Sequence, residues 1–204
     1  MNSKPYTTKE LIDFEEKVAE LFNQGQIRAP VHLSSGGEEE LIKIFLGINK
    51  SDYVFSTWRS HYHALLKGVP QELLLDEILS GNSISLNFPE YNFYSSAIAG
   101  THMPIATGLA YALKMQNIGS KVWCFVGDMT SESGIANSSI KYSSRHKLPI
   151  TFVIEDNNLS VCSDTRKVWN SEKLFFADNK HENVLTYKYK NKYPHAGAGR
   201  RVQF

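Results

Sequence analysis

The sequence predicts an α/β fold organised on a three-layer parallel sheet, in one domain spanning residues 1–204. Residues 122–161, VWCFVGDMTSESGIANSSIKYSSRHKLPITFVIEDNNLSV, read as a strand ending in Gly127-Asp128, a loop and helix, and a second strand ending in Glu155-Asp156-Asn157-Asn158. A crossover helix between parallel strands returns the chain so that both carboxyl ends open on one edge. The preceding residues carry helical periodicity, and 204 residues suit one good core better than two α/β domains.

Thr7-Thr8-Lys9-Glu10 has capping-box spacing, and Leu11, Phe14, Val18, Leu21 and Phe22 recur at helical intervals up to Gly25. The Gly-, Pro- and Ser-bearing stretch that follows reads as loop, and Glu38, Glu39 and Glu40 sit where negative charge favours a helix start, with Leu41, Ile42, Phe45 and Leu46 as its buried face. Tyr53-Val54-Phe55 reads as a short strand, leading into STWRSHYHALLKG. Pro70 opens a helix with Leu73, Leu74, Ile78 and Leu79 on one side, and Gly81 stops it. Residues 82–99 show no sustained period and read as a long loop, which in a compact domain is usually functional or mobile. Gly100 to Pro104 leads into a helix rich in small residues, from Ile105 to Leu113. Beyond Val161 the pattern weakens until residues 183–189, NVLTYKY, offer one more strand. The remaining tail reads as loop, with Arg200-Arg201 as solvated charge or a subunit contact.

Composition narrows the function classes. Twenty-two Lys and Arg against twenty-one Asp and Glu leave almost no net charge, so neither nucleic acid nor a membrane surface is implied, and any phosphate binding must be local. No apolar run has the length of a membrane span, and MNSKPYTTKE resembles neither a secretory signal nor a transit peptide, so a soluble, cytoplasmic chain is expected. Cys124 and Cys162 form neither a disulfide framework nor a zinc spacing.

Taken alone, Gly127-Asp128 at a strand end reads either as a structural turn or as a metal ligand. A second polar cluster at the neighbouring strand's matching end favours the ligand reading, because open α/β sheets bind ligands in that crevice, and a carboxylate with an amide oxygen suits a hard cation carrying a phosphate. Each histidine taken singly reads more simply as surface or satisfied interior.

With these residues in place the chain resembles the alpha subunits of the thiamine-diphosphate-dependent first component of 2-oxo-acid dehydrogenase complexes, in short form, and more distantly the amino-terminal half of transketolase. That superfamily carries Gly-Asp-Gly followed further along by Asn. Gly127 and Asp128 match its start and Asn157 its end. The resemblance implies a minimal thiamine-diphosphate-binding fold and Mg²⁺ or Ca²⁺ held by Asp128, Asn157 and the backbone carbonyl of Leu159. LFNQGQIRAPVHLSSGGEEELI is similar to the family's His-Leu-x-x-Gly-Gln-Glu-Ala stretch and implies His32 at the substrate end. STWRSHYHALLKGVP is similar to its Tyr-Arg-x-His-Gly segment, which implies Trp58, Arg59 and His61 at the cofactor. A guanidinium suits a diphosphate because its planar donors bridge two oxygens. NFYSSAIAGTHMPIATGLAYALK implies Ala97 to Ala99 beside the aminopyrimidine, with Ile98 or Ala99 propping the cofactor in its bent shape, and TYKYKNKYPHAG implies His195 as a second catalytic histidine.

Three departures accompany the likeness. Met129 stands where the motif has its second glycine, facing the cofactor; Ala136-Asn137-Ser138 replaces a Phe-His-Glu run; and the region between Asn158 and the last strand is short. The resemblance implies a chain that decarboxylates a 2-oxo acid and transfers its acyl or aldehyde unit only together with a beta subunit, in an α2β2 heterotetramer, with a lipoyl acyltransferase as a further partner. A split transketolase-like enzyme moving two-carbon ketol units and a degenerate non-catalytic partner subunit are the alternatives.

Overall fold

The computed structural model describes residues 6–177 and 181–198; the Arg200-Arg201 reading lies outside them. In chain order the elements are α1 (Thr8–Asn23), α2 (Glu38–Phe45), β1 (Tyr53–Thr57), α3 (His61–Lys67), α4 (Gln71–Leu79), β2 (Asn87–Phe88) and β3 (Phe93–Ser96). They continue as α5 (His102–Met115), β4 (Val122–Gly127), α6 (Asp128–Ser131), α7 (Gly134–Arg145) and β5 (Ile150–Asp156). The last are β6 (Leu159–Ser160), β7 (Ser163–Asp164), α8 (Thr165–Trp169) and β8 (Val184–Lys188). Contacts define two compact units, one drawn from Met1–Lys50, Trp58–Ala97 and Lys190–Phe204, the other from Ser51–Thr57 and Ile98–Tyr189.

In the first unit α1 starts on the expected capping box: the Thr7 hydroxyl accepts from the Glu10 N–H at 3.2 Å, and the Glu10 carboxylate accepts from the Thr7 N–H at 2.7 Å. Leu11, Phe14 and Val18 form its buried stripe. On α2, Leu41 and Phe45 are buried, but Leu46 is 74% exposed and drops out of the expected face. On α4, Leu74 and Ile78 are buried, whereas Leu73 and Leu79 are exposed. Both differences arise where apolar residues follow one another directly: a helix turns each residue about 100° from the last, so neighbours cannot share one face. Lys67, near the end of α3, donates to the carbonyls of Asn49 at 3.1 Å and Lys50 at 2.8 Å. The expected loop at 82–99 contains a short antiparallel hairpin, β2–β3, with Asn87 opposite Tyr94 and Phe88 opposite Phe93. Its turn is a 3-10 segment, Pro89–Tyr91, closed by Asn92 in the left-handed region at φ 52°.

The second unit holds four parallel strands in the order β1, β4, β5, β8. Their near-continuous apolar runs, including Val54, Phe55, Phe125, Val126, Phe152, Val153 and Ile154, are buried, as befits parallel strands covered on their faces. Helix α5 packs on β1, β4 and β5 and against α7, with Ala106 and Ala110 among its buried residues. Asp52 ties the start of β1 to its neighbour by accepting from the Lys121 N–H at 2.9 Å and the Trp123 indole at 3.3 Å. Among the described residues no helix is long and apolar enough to cross a membrane.

Candidate functional site

The expected strand–helix–strand unit is present. Strands β4 and β5 run parallel from Val122 opposite Ile150 to Gly127 opposite Glu155, so Asp128 and Asp156 follow at the same edge. Asp128 opens α6 and is 1% exposed, and its Oδ2 is buried without a hydrogen-bond partner. Burial pushes its carboxyl above the ordinary value, opposed by Thr165 and by the positive charge of Arg166. Nothing stands within 4 Å of where a Cβ on Gly127 would lie, so open space fronts the strand end.

Asn157 is turned into its own loop. Its Oδ1 accepts from the Leu159 N–H at 2.9 Å, and its Nδ2 donates to the Tyr189 hydroxyl at 3.2 Å. Leu159 lies in β6 with an exposed side chain. The β6–β7 hairpin has Asn158 and Val161 in the left-handed region at φ 60° and 58°. Met129 projects from α6, and its sulfur accepts from the Trp169 indole at 3.1 Å.

Arg166 on α8 joins these pieces. Its Nη1 and Nη2 reach the two oxygens of Asp156 at 2.6 Å and 2.5 Å, and Nη1 also lies 3.2 Å from Asn158 Oδ1 and 3.5 Å from Asp128 Oδ2. Asp156 holds the guanidinium firmly in its charged form. Sequence reasoning met Asp156 only as one member of the polar strand end and passed over Arg166. The available signal was Asp164, whose side chain caps α8 by accepting from the Lys167 N–H at 3.0 Å and so places Arg166 in the first turn.

In the first unit the structure brings His32, Trp58 and His195 together. Ring centroids lie 4.5 Å apart for His32 and His195, 5.9 Å for His32 and Trp58, and 6.2 Å for Trp58 and His195. His32 Nδ1 is 2.5 Å from the His195 carbonyl oxygen. A carbonyl can only accept, so Nδ1 carries the proton and Nε2 keeps the lone pair. Burial pulls the His32 ring down to about 4, so it is neutral at neutral pH. Arg59 sits beside it, its Nε–H donating to the Leu33 carbonyl at 3.1 Å.

His61, which the resemblance implies at the cofactor, lies in the interior of the first unit. It is fully buried, with Nδ1 3.0 Å from Glu15 Oε1 and Nε2 2.8 Å from the Ser83 hydroxyl. Both ring nitrogens are engaged in the interior. Although Ser, His and Glu are in line, all three are within 1% of full burial, which closes that chain of groups to substrate. In the second unit Ile98 and Ala99 are exposed just ahead of Gly100, whose φ of 77° only glycine adopts easily. Among the described residues no three His, Cys, Asp or Glu side chains form a metal-holding group; at the β4–β5 edge any cation would draw on carboxylate, amide and backbone oxygens.

Residues 6–179 match the family described as dehydrogenase E1 component. The chain belongs to that family. It is 32% identical over 160 residues to the pyruvate dehydrogenase E1 component subunit alpha-3, chloroplastic, of Arabidopsis thaliana, covering 71% of this chain and 37% of the relative. It is 30% identical over 166 residues to the pyruvate dehydrogenase E1 component subunit alpha of Porphyra purpurea, covering 73% and 48%. To the subunit of the same name in Rickettsia typhi it is 29% identical over 158 residues, covering 72% and 48%. The chain thus spans less than half the length of these E1 relatives.

Proposed function

We propose that this chain is the alpha-type subunit of a thiamine-diphosphate-dependent enzyme that decarboxylates a 2-oxo acid and passes on the acyl or aldehyde unit. Its role is to hold a divalent cation and the cofactor's diphosphate, while a beta subunit completes the active site. The observation that carries this is Asp128: a buried carboxylate oxygen with no hydrogen-bond partner, at the end of a parallel strand, in a chain of the E1 family. A buried oxygen left without a hydrogen bond costs about 1–3 kcal/mol; Arg166 faces it at 3.5 Å without donating one, and a hard cation such as Mg²⁺ or Ca²⁺ is a fitting further partner.

When bound, thiamine diphosphate supplies the stabilisation of negative charge that decarboxylation requires. Asp128, Asn157 and the Leu159 carbonyl would hold the cation. Asn157 Oδ1 accepts the Leu159 N–H with one lone pair and keeps its second for the metal. His32, its proton fixed on Nδ1 by the His195 carbonyl, offers a neutral Nε2 that can accept a proton or a hydrogen bond from substrate. Trp58 walls that cluster, and His195 shares it.

The degenerate-subunit reading is favoured by one observation, the Met129–Trp169 contact at the position of the motif's second glycine. Co-purification with its beta subunit and an assay of thiamine-diphosphate-dependent release of carbon dioxide tests the proposal. Release that is lost in Asp128→Asn is expected. No release and no metal-dependent heat on titration with thiamine diphosphate would overturn it in favour of the degenerate subunit.

A further inference from the structure

We propose that Arg166 makes occupancy of the Asp128 site by a divalent cation conditional on an anionic phosphate group arriving with it. The inference rests on the reading of that strand edge as a cation–diphosphate site. Two buried carboxylates, Asp128 and Asp156, share one guanidinium: Asp156 is gripped through both oxygens, and Asp128 Oδ2 lies 3.5 Å from Nη1 with no hydrogen-bond donor of its own. The oxygen expected to ligate the metal therefore already faces a fixed positive charge.

The balance of charge sets the consequence. Two carboxylates and one guanidinium leave a net single negative charge, so a bare divalent ion would reverse its sign and stand against the guanidinium in a site largely shielded from water. A diphosphate brings enough negative charge to compensate both cations, and the outer edge of Arg166 retains donors that a phosphate oxygen can take. Without Arg166 the two carboxylates would bind a bare divalent ion outright. Arg166 thereby suppresses metal-only occupancy and couples the two ligands.

The alternative is a purely structural staple, in which Arg166 only fastens the loop from Asn158 to Thr165 against the end of β5. The two roles give opposite signs. Mn²⁺ binding to the full chain is followed by water-proton relaxation, which separates protein-bound from pyrophosphate-bound metal, with and without inorganic pyrophosphate. In the unsubstituted chain pyrophosphate is expected to tighten Mn²⁺ by about tenfold or more. Arg166→Gln should tighten bare Mn²⁺ by about tenfold and largely abolish the pyrophosphate effect. Asp156→Asn, which leaves the guanidinium to Asp128 alone, should weaken bare Mn²⁺. The Asp156→Asn/Arg166→Gln double variant, which removes both members of the buried pair, should restore binding at least to the original level, and it carries the test even if Arg166→Gln alone does not fold. Weakening in Arg166→Gln, or a double variant no better than Asp156→Asn, overturns the coupling role while leaving the metal site intact. No Mn²⁺ binding to the unsubstituted chain, with or without pyrophosphate, overturns the site reading and this inference with it.

Discussion

Acidification should expose His32 as a stability switch. Its ring is 8% exposed and burial lowers its pKa from 6.5 to about 4. Below 6.5 the unfolded chain takes up a proton that the folded ring refuses, so stability is complete above that value and declines as pH falls towards 4. The shift corresponds to about 3 kcal/mol across that window. His32→Asn keeps a donor near the Nδ1 position for the His195 carbonyl and removes the titrating ring. Urea unfolding followed by tryptophan fluorescence, at intervals between neutral pH and pH 4, should show the original chain losing about 3 kcal/mol more than His32→Asn. Parallel pH profiles for the two chains would refute the argument, because every other titrating group is common to both.

Four further outcomes follow from particular contacts. Glu15→Leu should destabilise the fold by about 1–3 kcal/mol by leaving His61 Nδ1 without its hydrogen-bond partner in the interior, and Glu15→Leu/His61→Leu should cost less than the sum of the two single changes, as read from urea midpoints. Gly100→Ala should cost about 1–3 kcal/mol, since φ is 77° and the new Cβ would stand 2.8 Å from Ile135 Cγ2; adding Ile135→Ala should relieve the clash but not the backbone strain, recovering only part of the melting temperature. Asp128→Asn should leave the melting temperature unchanged or higher, since it removes a buried carboxylate that burial disfavours, while abolishing Mn²⁺ binding. A thiol reagent should titrate exposed Cys162 in the native chain and reach Cys124 only on unfolding, because Cys124 is buried and burial pushes its thiol up.

Where sequence signals and tertiary structure coincide, the residues announced their elements. The capping box before α1, the alternation of strand and helix from β4 to β5, and the last strand β8 are dictated by local spacing and burial, and all three stand where expected. The β2–β3 hairpin was hidden because two- and four-residue strands are too short to show a period, and its turn uses Asn92 rather than glycine for the left-handed residue. Asp128 was legible because a carboxylate at a strand end is a local pattern. Arg166 was not: its partners Asp156 and Asp128 become neighbours only when β4, β5 and the loop to α8 converge. His61 is similar: a motif position suggested its place, and its partners Glu15 and Ser83, far away in sequence, could not be read from that motif.

The strand order β1, β4, β5, β8 also has a temporal meaning. Strand β4 finds β5 across the two helices α6 and α7, whereas β1 must wait for β4 across three helices and a hairpin. Loop closure favours the shorter connection, so β4–β5 is the pairing expected to form first, and it brings Asp128 and Asp156 to a common edge before the rest of the sheet exists. Two converging carboxylates in a half-folded chain repel one another, and Arg166, ten residues beyond Asp156, is a cation that the fold sets against both. On that view the guanidinium is a folding counterion as well as a feature of the finished site, and its replacement should slow refolding as well as alter metal binding.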